Sequence, residues 1–122
     1  GGYSLLKKLD TSKWDSVTLV SPRNYFLFTP LLPSVTVGTN EPRSIIEPVR
    51  KTIMKKNKKT GLANTRYLEV VANHLDLDQK ICYCEDMTSI KATEGPLEVP
   101  YDKLVVAVGA QPNTMGVPGV LE

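Results

Sequence analysis

The first part of the chain alternates between helical and strand spacing of its apolar residues. Leucines at positions 5, 6 and 9 share one helical face, which predicts a helix over residues 2–9 with two lysines in its last turn. Residues 16–20 are short, β-branched and apolar, as in a buried strand. Helix, polar turn and buried strand form the second half of a β-α-β unit. We therefore expect its first strand to lie before Gly1, in a fold that is incomplete at its N-terminus.

The middle of the chain is apolar but interrupted by prolines. Residues 25–33 are too broken by proline for a regular element, so we expect a packed irregular loop there. From about Pro42, isoleucine and valine residues follow helical spacing, which predicts a helix that Pro48 kinks. The lysines that crowd its end, up to Lys59, are expected to form a solvated helix face rather than a lipid contact.

Strand patterns dominate the second half. Residues 66–72 predict a strand, and residues 75–84 predict a turn with a returning hairpin arm. A short strand is expected at 97–99. Residues 104–108 form a continuous apolar run, which is typical of a central parallel strand buried on both faces. The order of elements predicts an α/β fold in three layers, with a mostly parallel sheet and a small antiparallel meander.

Composition supports one folded domain over residues 1–122. Hydrophobic residues make up 41% of the 122 residues and charged residues 23%, which excludes disordered and collagen-like chains. The net charge of +2 is too balanced to indicate a nucleic-acid partner. No apolar run approaches the ~18–20 residues of a membrane span, so we expect any membrane contact of this segment to be peripheral.

Cysteine and histidine offer little chemistry. Cys82 and Cys84 share one face of a predicted strand, and either a redox pair or half of a metal site would be possible. A structural zinc site needs four ligands, and His74 alone does not complete one. We therefore expect no metal site, two buried or edge thiols, and a surface histidine. No side chain stands out as a catalytic acid, base or nucleophile.

Five segments together carry a family resemblance. They are VTLVSPRNYFLFTPLLP at 17–33, VGT at 37–39, SIIEPVR at 44–50, YDKLVVAVGAQPNT at 101–114 and GVPGV at 116–120. In order and spacing the chain resembles type II NADH dehydrogenases, the rotenone-insensitive, single-subunit NADH:quinone oxidoreductases. The aromatic and proline-rich segment is the specific part of this resemblance. The apolar run with its Gly-Ala-Gln-Pro ending would by itself indicate only the wider group of flavoproteins with two dinucleotide-binding domains.

The resemblance implies a Rossmann-like FAD-binding domain, present in part over residues 1–122. FAD is the implied cofactor, with hydride transfer from NADH to the flavin and electron transfer to a quinone. The NADH-binding domain is expected after Glu122, so the isolated chain should be inactive. The resemblance also implies a peripheral protein of the mitochondrial inner membrane, held there mainly by a C-terminal part that lies outside this chain, and a possible homodimer.

The resemblance further implies where FAD would be held. Glycines at the start would end the phosphate-binding fingerprint, and a serine takes the place of the usual acidic residue at the end of the second strand. The remaining contacts lie in loops and strand ends. The implied positions are Gly1, Gly2, Ser21, Pro22, Arg23, Thr29, Pro30, Leu31, Val71, Ala72, Ala107, Val108 and Gly109. Arg23 as a solvated loop residue and Gly109 as an ordinary turn glycine stay open as alternatives. The aromatic residues at 25, 26 and 28 are expected to pack in the core rather than stack on the flavin.

Two alternative functions remain open from the residues alone. One is a non-catalytic, truncated α/β module that binds a nucleotide or a partner. The other is a related flavoprotein such as a sulfide:quinone oxidoreductase. That family uses well-separated redox cysteines, which the close pair Cys82 and Cys84 does not match.

Overall fold

The computed structural model describes residues 1–54, 61, 63–86, 95–110, 113 and 115–116. Its helices are short and its strands are arranged in three small sheets. The helices are α1 (Gly2–Lys8), α2 (Leu32–Thr36) and α3 (Val49–Ile53), with 3₁₀ helices at Thr11–Lys13, Thr29–Leu31 and Pro42–Ile45. The strands are β1 (Val17–Val20), β2 (Tyr25–Leu27), β3 (Ile46–Pro48), β4 (Thr65–Leu68), β5 (Val71–Asp76), β6 (Ile81–Glu85) and β7 (Leu97–Pro100).

A parallel pair of strands, β1 and β4, follows helix α1 and sets the direction of the fold. Val17 lies opposite Thr65 and Val20 opposite Leu68, so the two carboxyl ends meet at one edge. The side-chain amide of Asn64 donates to the carbonyl oxygens of the turn between α1 and β1, at 2.7 and 2.8 Å. The predicted order of helix, turn and strand is confirmed.

An antiparallel sheet of β5, β6 and β7 forms the predicted meander. The carboxylate of Asp76 accepts hydrogen bonds from the backbone N–H groups of Asp78 and Gln79, which closes the predicted turn. The register shifts between Ala72 and His74, so β5 carries an irregularity near its start. Both the hairpin and the short strand after it are confirmed.

The core lies where the meander meets the parallel pair. Val70, Cys82, Cys84 and Val99 are buried, and they pack against partly buried side chains that include the last residues of β1 and β4. Burial of these apolar groups is the main stabilising contribution here. The core therefore fixes the carboxyl edge of the parallel pair against a rigid sheet.

The proline-rich segment is more regular than the sequence predicts. Instead of an irregular loop at 25–33, β2 pairs with β3, with Phe26 opposite Glu47, and a 3₁₀ helix and α2 follow. Prolines lie in the first positions of both helices, where a missing N–H group costs nothing. The prediction was wrong because prolines that begin helices were interpreted as breaks.

The helix predicted from Pro42 is also wrong. The segment divides into a 3₁₀ helix, strand β3 and helix α3, and Pro48 precedes α3 in an extended conformation with ψ of 127°. Proline restricts the preceding residue to extended conformations, so one continuous helix cannot form through Glu47 and Pro48. The lysine-rich end of the predicted helix, 55–60, lies outside the described residues.

The strand predicted at 66–72 is two strands. β4 ends at Leu68, and β5 begins at Val71 in a different sheet. Val70 between them is buried in the core of the meander. The apolar pattern runs through this corner without interruption, so the periodicity alone could not reveal the change of sheet.

The apolar run at 104–108 forms no strand, which contradicts the prediction of a central buried one. Its side chains are exposed, with 65% exposure at Val105 and 87% at Val108. A central parallel strand needs hydrogen-bonded neighbours on both sides, and among the described residues none pairs with this run. The α/β class itself is confirmed, with a parallel pair joined to antiparallel strands.

Candidate functional site

The candidate site is the carboxyl edge of the parallel pair. Open α/β sheets bind ligands outside the carboxyl ends of their strands, where loops from neighbouring strands converge. The backbone N–H of Ser21 donates to the carbonyl oxygen of Leu68 at 3.1 Å, which continues the ladder to the end of both strands. Residues that follow β1 and β4 therefore share this edge, which we call the carboxyl edge.

Ser21, Pro22 and Arg23 form a closed turn at the end of β1. The hydroxyl of Ser21 donates to the carbonyl oxygen of Arg23 at 3.0 Å, and the backbone N–H of Arg23 donates to the same hydroxyl oxygen at 3.2 Å. Ser21 is half-buried, whereas Pro22 and Arg23 are exposed. The turn holds the backbone of Arg23 and leaves its side chain accessible to a ligand.

Tyr67 of β4 fixes this turn from the neighbouring strand. Its hydroxyl donates to the carbonyl oxygen of Ser21 at 3.0 Å, and the guanidinium of Arg50 lies 5.1 Å from the centre of its ring. Burial raises the pKa of Tyr67, and the negative charge of Glu69 raises it further, while Arg50 opposes both effects. The phenol therefore remains a hydrogen-bond donor at neutral pH.

Glu69 and Asn24 are edge residues that the sequence analysis missed. The side-chain amide of Asn24 donates to the Oε1 atom of Glu69 at 3.3 Å, which joins the loops after β1 and β4. Glu69 was placed inside a continuous strand, so nothing marked it as a strand end. Asn24 directly follows the predicted contacts at 21–23, which could have drawn attention to it. No spacing rule in the sequence, however, links Asn24 to Glu69.

Val71 and Ala72 begin β5 just beyond this edge. Val71 is half-buried and Ala72 is exposed. They follow β4 by way of the buried Val70, so their main chain reaches the same side of the fold as the turn after β1. These two predicted positions thus directly follow a residue of the buried cluster against which Val20, the last residue of β1, packs.

Gly2 and Ala107 form a second predicted group. A methyl group placed on Gly2 would come within 3.0 Å of the Cβ atom of Ala107, so the start of α1 lies directly against the apolar run. Gly1 is exposed beside it, and Val108 and Gly109 continue the run, with Gly109 at a φ of +77°. Only glycine adopts that backbone conformation without strain, which supports a sharp turn at Gly109.

Thr29, Pro30 and Leu31 lie in an exposed 3₁₀ helix after β2. Within the described residues, no hydrogen bond or ring contact joins this helix to Ser21 or Gly2. Their place along the flavin ring therefore stays a prediction.

The aromatic residues before this helix behave differently from one another. Phe26 stacks on Tyr3 of α1, with ring centres 4.1 Å apart and planes within 2°. Packing was the expectation for Phe26, and it is confirmed. Tyr25 and Phe28 are exposed by 41% and 46%, so core packing was the wrong expectation there.

Cys82 and Cys84 belong to the core rather than to a site. Their Sγ atoms are 3.6 Å apart, and both side chains are buried. Burial, together with the contact to Cys82, raises the pKa of Cys84 from 9.0 to about 12. A protonated buried thiol is a poor nucleophile. The described residues contain no cluster that could hold a metal ion, and His74 is exposed as expected.

An open cavity of about 300 Å³ lies on the meander, lined by Asn73, residues 83–86 and residues 95–96. None of the residues that line this cavity is among the positions predicted to contact FAD. Sheets of this class bind ligands at the strand ends, so we place the candidate site at the carboxyl edge instead.

A parallel pair of strands with turns at its carboxyl edge, preceded by a helix that begins at a closely packed glycine, is typical of a Rossmann-like α/β fold. The family model described as pyridine nucleotide-disulphide oxidoreductase matches residues 1–122, and the chain belongs to this family.

Several curated relatives cover the whole chain. It is 49% identical over 123 residues to the external alternative NADH-ubiquinone oxidoreductase, mitochondrial, of Yarrowia lipolytica, covering 100% of this chain and 20% of the relative. It is 46% identical over 123 residues to the external alternative NAD(P)H-ubiquinone oxidoreductase B1, mitochondrial, of Solanum tuberosum, with the same coverage. The chain spans about 20% of the length of these relatives.

A solved structure is similar over the whole chain. NDH2 from Plasmodium falciparum in complex with NADH is 36% identical, with a TM-score of 0.81, over 100% of this chain and 23% of that protein. The resemblance to type II NADH dehydrogenases is thereby confirmed.

Proposed function

We propose that the chain is the FAD-binding part of an oxidoreductase that passes electrons from NADH through a flavin to a quinone. The relatives that match its full length are named as NADH- or NAD(P)H-ubiquinone oxidoreductases. The observation that carries the proposal in this chain is the carboxyl edge, where the turn after β1 lies beside the end of β4. That position is where a dinucleotide binds in a Rossmann-like fold.

The proposed FAD contacts divide into two groups along the cofactor. Ser21, Pro22 and Arg23 would face the adenosine end, where the exposed Arg23 guanidinium can stack on a base. The backbones of Val71 and Ala72 would contact adenine. Each of these groups is accessible at the edge or fixed by the ladder and the Tyr67 hydrogen bond.

The second group would hold the diphosphate and the flavin. The proposed contacts here are Gly1, Gly2, Ala107, Val108 and Gly109 at the diphosphate, and Thr29, Pro30 and Leu31 along the ring. The residues present fit such a group, because a side chain at Gly2 would fill the space against Ala107. In dinucleotide-binding turns the last glycine serves this close packing of helix and strand.

The flavin would supply the redox chemistry, accepting hydride from NADH and passing electrons to the quinone. The chain's own residues would bind and orient the cofactor. None of the described edge residues is placed as an acid, base or nucleophile for the reaction. NADH and quinone would bind mainly through parts of the protein beyond this segment.

We further propose a peripheral location at the mitochondrial inner membrane, as the names of the relatives include "mitochondrial" and "ubiquinone". Membrane attachment and a homodimer belong to the same proposal. None of the helices in the described part of the chain is long and apolar enough to cross a bilayer.

The test uses the protein at its natural length and the 122-residue chain side by side. The natural-length protein is expected to contain FAD and to reduce a soluble ubiquinone analogue with NADH. The chain alone, with FAD added, is expected to show no NADH-dependent quinone reduction. A natural-length protein without flavin, or an active isolated chain, would contradict the proposal.

A further inference from the structure

We propose that the carboxylate of Glu69 accepts hydrogen bonds from the adenosine ribose hydroxyls of the bound dinucleotide. The proposal rests on the proposed function and concerns the adenosine end of the bound dinucleotide. A Rossmann-like fold normally places an acidic residue for this purpose at the end of the strand that follows the first helix, which is β1 here, and Ser21 stands there instead. Glu69 directly follows the end of the neighbouring strand β4, at the same edge.

The hydroxyl of Ser21 is a poor replacement because it is already engaged. Its proton goes to the carbonyl oxygen of Arg23, and one of its two lone pairs accepts the backbone N–H of Arg23. What remains is one lone pair on a neutral oxygen. Hydrogen bonds to a carboxylate are about twice as strong as bonds between neutral groups.

Glu69 lies directly beside this turn. Leu68, the preceding residue, accepts the backbone N–H of Ser21 at 3.1 Å, so position 69 is the first residue past the last rung of the ladder. The charge of Glu69 also acts on the Tyr67 hydroxyl, which donates to the carbonyl oxygen of Ser21. Glu69 therefore follows directly on the strand whose Tyr67 and Leu68 hold the backbone of Ser21.

Asn24 fixes the carboxylate in place. Its side-chain amide donates to Oε1 of Glu69 at 3.3 Å, while its backbone carbonyl accepts the N–H of Val49 at the start of α3 at 2.9 Å. Asn24 is thus tied to a helix and holds one oxygen of Glu69. A carboxylate has about four lone-pair sites, so this contact leaves acceptor capacity for two ribose hydroxyls.

Glu69 is also accessible, because it is only half-buried and lies in a loop at the edge of the sheet.

A second pair of the same chemistry, an asparagine amide that donates to a glutamate, lies elsewhere in the chain. The side-chain amide of Asn73 donates to Oε2 of Glu85 at 2.9 Å on the meander. Because that pair lies outside the parallel sheet, it provides a matched control.

The experiment compares two ligands on flavin-free protein at its natural length. One ligand is FAD, and the other is an FAD analogue whose adenosine ribose lacks both hydroxyls. Glu69→Gln is expected to raise the Kd for FAD by about tenfold, the loss typical of a hydrogen bond to a charged group, and to change the Kd for the analogue less than about twofold. Glu85→Gln is expected to leave both Kd values unchanged.

Each outcome has one meaning. Equal losses for both ligands in Glu69→Gln, or no loss for either, would overturn the ribose role while leaving FAD binding intact. If the wild-type protein bound neither ligand, the proposed function would fall, and this inference with it. A loss confined to FAD is the only result that supports the proposal.

Discussion

The hydroxyl of Tyr67 donates a 3.0 Å hydrogen bond to the carbonyl oxygen of Ser21, across the end of the parallel pair. Tyr67 lies on β4 and Ser21 directly follows the neighbouring strand β1, 46 positions away in sequence. The bond fixes the first turn that a dinucleotide would meet at the carboxyl edge. It also satisfies a carbonyl oxygen that lies just beyond the last rung of the ladder.

Removing this bond should weaken cofactor binding more than folding. Tyr67→Phe leaves the Ser21 carbonyl without its partner, at a cost of about 0.5–1.5 kcal/mol, and loosens the turn. We expect the Kd for FAD to rise by about twofold to twelvefold, the equivalent of that energy. Flavin fluorescence titration measures the change.

Tyr101→Phe is the matched control for this substitution. The hydroxyl of Tyr101 also donates to a backbone carbonyl, that of Asp76 at 3.3 Å, but on the meander. It should lower the melting temperature as much as Tyr67→Phe and leave the Kd for FAD unchanged. Similar Kd values for both variants would show that Tyr67 has no specific role at the edge.

Gly2→Ala tests the close contact between α1 and the apolar run. The added methyl group would lie 3.0 Å from the Cβ of Ala107, so one of the two segments must shift. Crowding of this kind costs about 1–3 kcal/mol, while alanine favours a helix over glycine by up to about 1 kcal/mol. We therefore expect a small change in the free energy of unfolding and a clear rise in the Kd for FAD.

Ser4→Ala serves as the reference for Gly2→Ala, because Ser4 is exposed on the same short helix. It should alter neither the Kd nor the melting temperature by a measurable amount. If Gly2→Ala bound FAD as tightly as Ser4→Ala, the glycine would not be needed at the cofactor.

The buried thiol of Cys84 predicts a loss of stability at alkaline pH. Its pKa is about 12 in the folded protein and 9.0 as the reference value, so the folded state keeps the proton that the unfolded state releases. The stability that the protonated thiol contributes to the folded protein is complete below pH 9.0 and is lost progressively as the pH rises towards about 12.

Urea unfolding between pH 7 and pH 11 measures this effect. Cys84→Ala is less stable at every pH because it leaves a cavity, but its stability should fall less steeply above pH 9. Subtracting the two curves removes the titration of lysine and tyrosine side chains common to both proteins. Parallel curves would mean that the thiol ionises equally in the folded and unfolded states.

The sequence predicts well where local pattern and tertiary structure agree. The helix at the start, strand β1 and the hairpin through Asp76 each follow from the spacing of apolar residues and turn residues. The prediction fails where a backbone rule overrides the pattern. Pro48 stops a helix whose apolar spacing continues, and the corner at Val70 changes sheets without any polar residue to mark it.

Residues of the candidate site likewise differ in whether the local sequence marks them. Ser21 and Gly2 are predictable because strand ends and glycine turns have sequence signatures. Glu69 is not, because its importance depends on which strand lies beside β1, and register between distant strands leaves no local signal. The apolar run ending at Val108 has a clear local pattern that predicts a buried strand. The run is nevertheless exposed, because a strand also requires neighbouring strands to pair with.

Titration of the purified protein with FAD, followed by flavin fluorescence quenching, tests the central claim most directly. The account predicts saturable binding with a Kd in the micromolar range or tighter, weakened by Tyr67→Phe and by Gly2→Ala. Binding that does not saturate, or that neither substitution alters, would contradict a cofactor site built from the carboxyl edge and the Gly2–Ala107 contact.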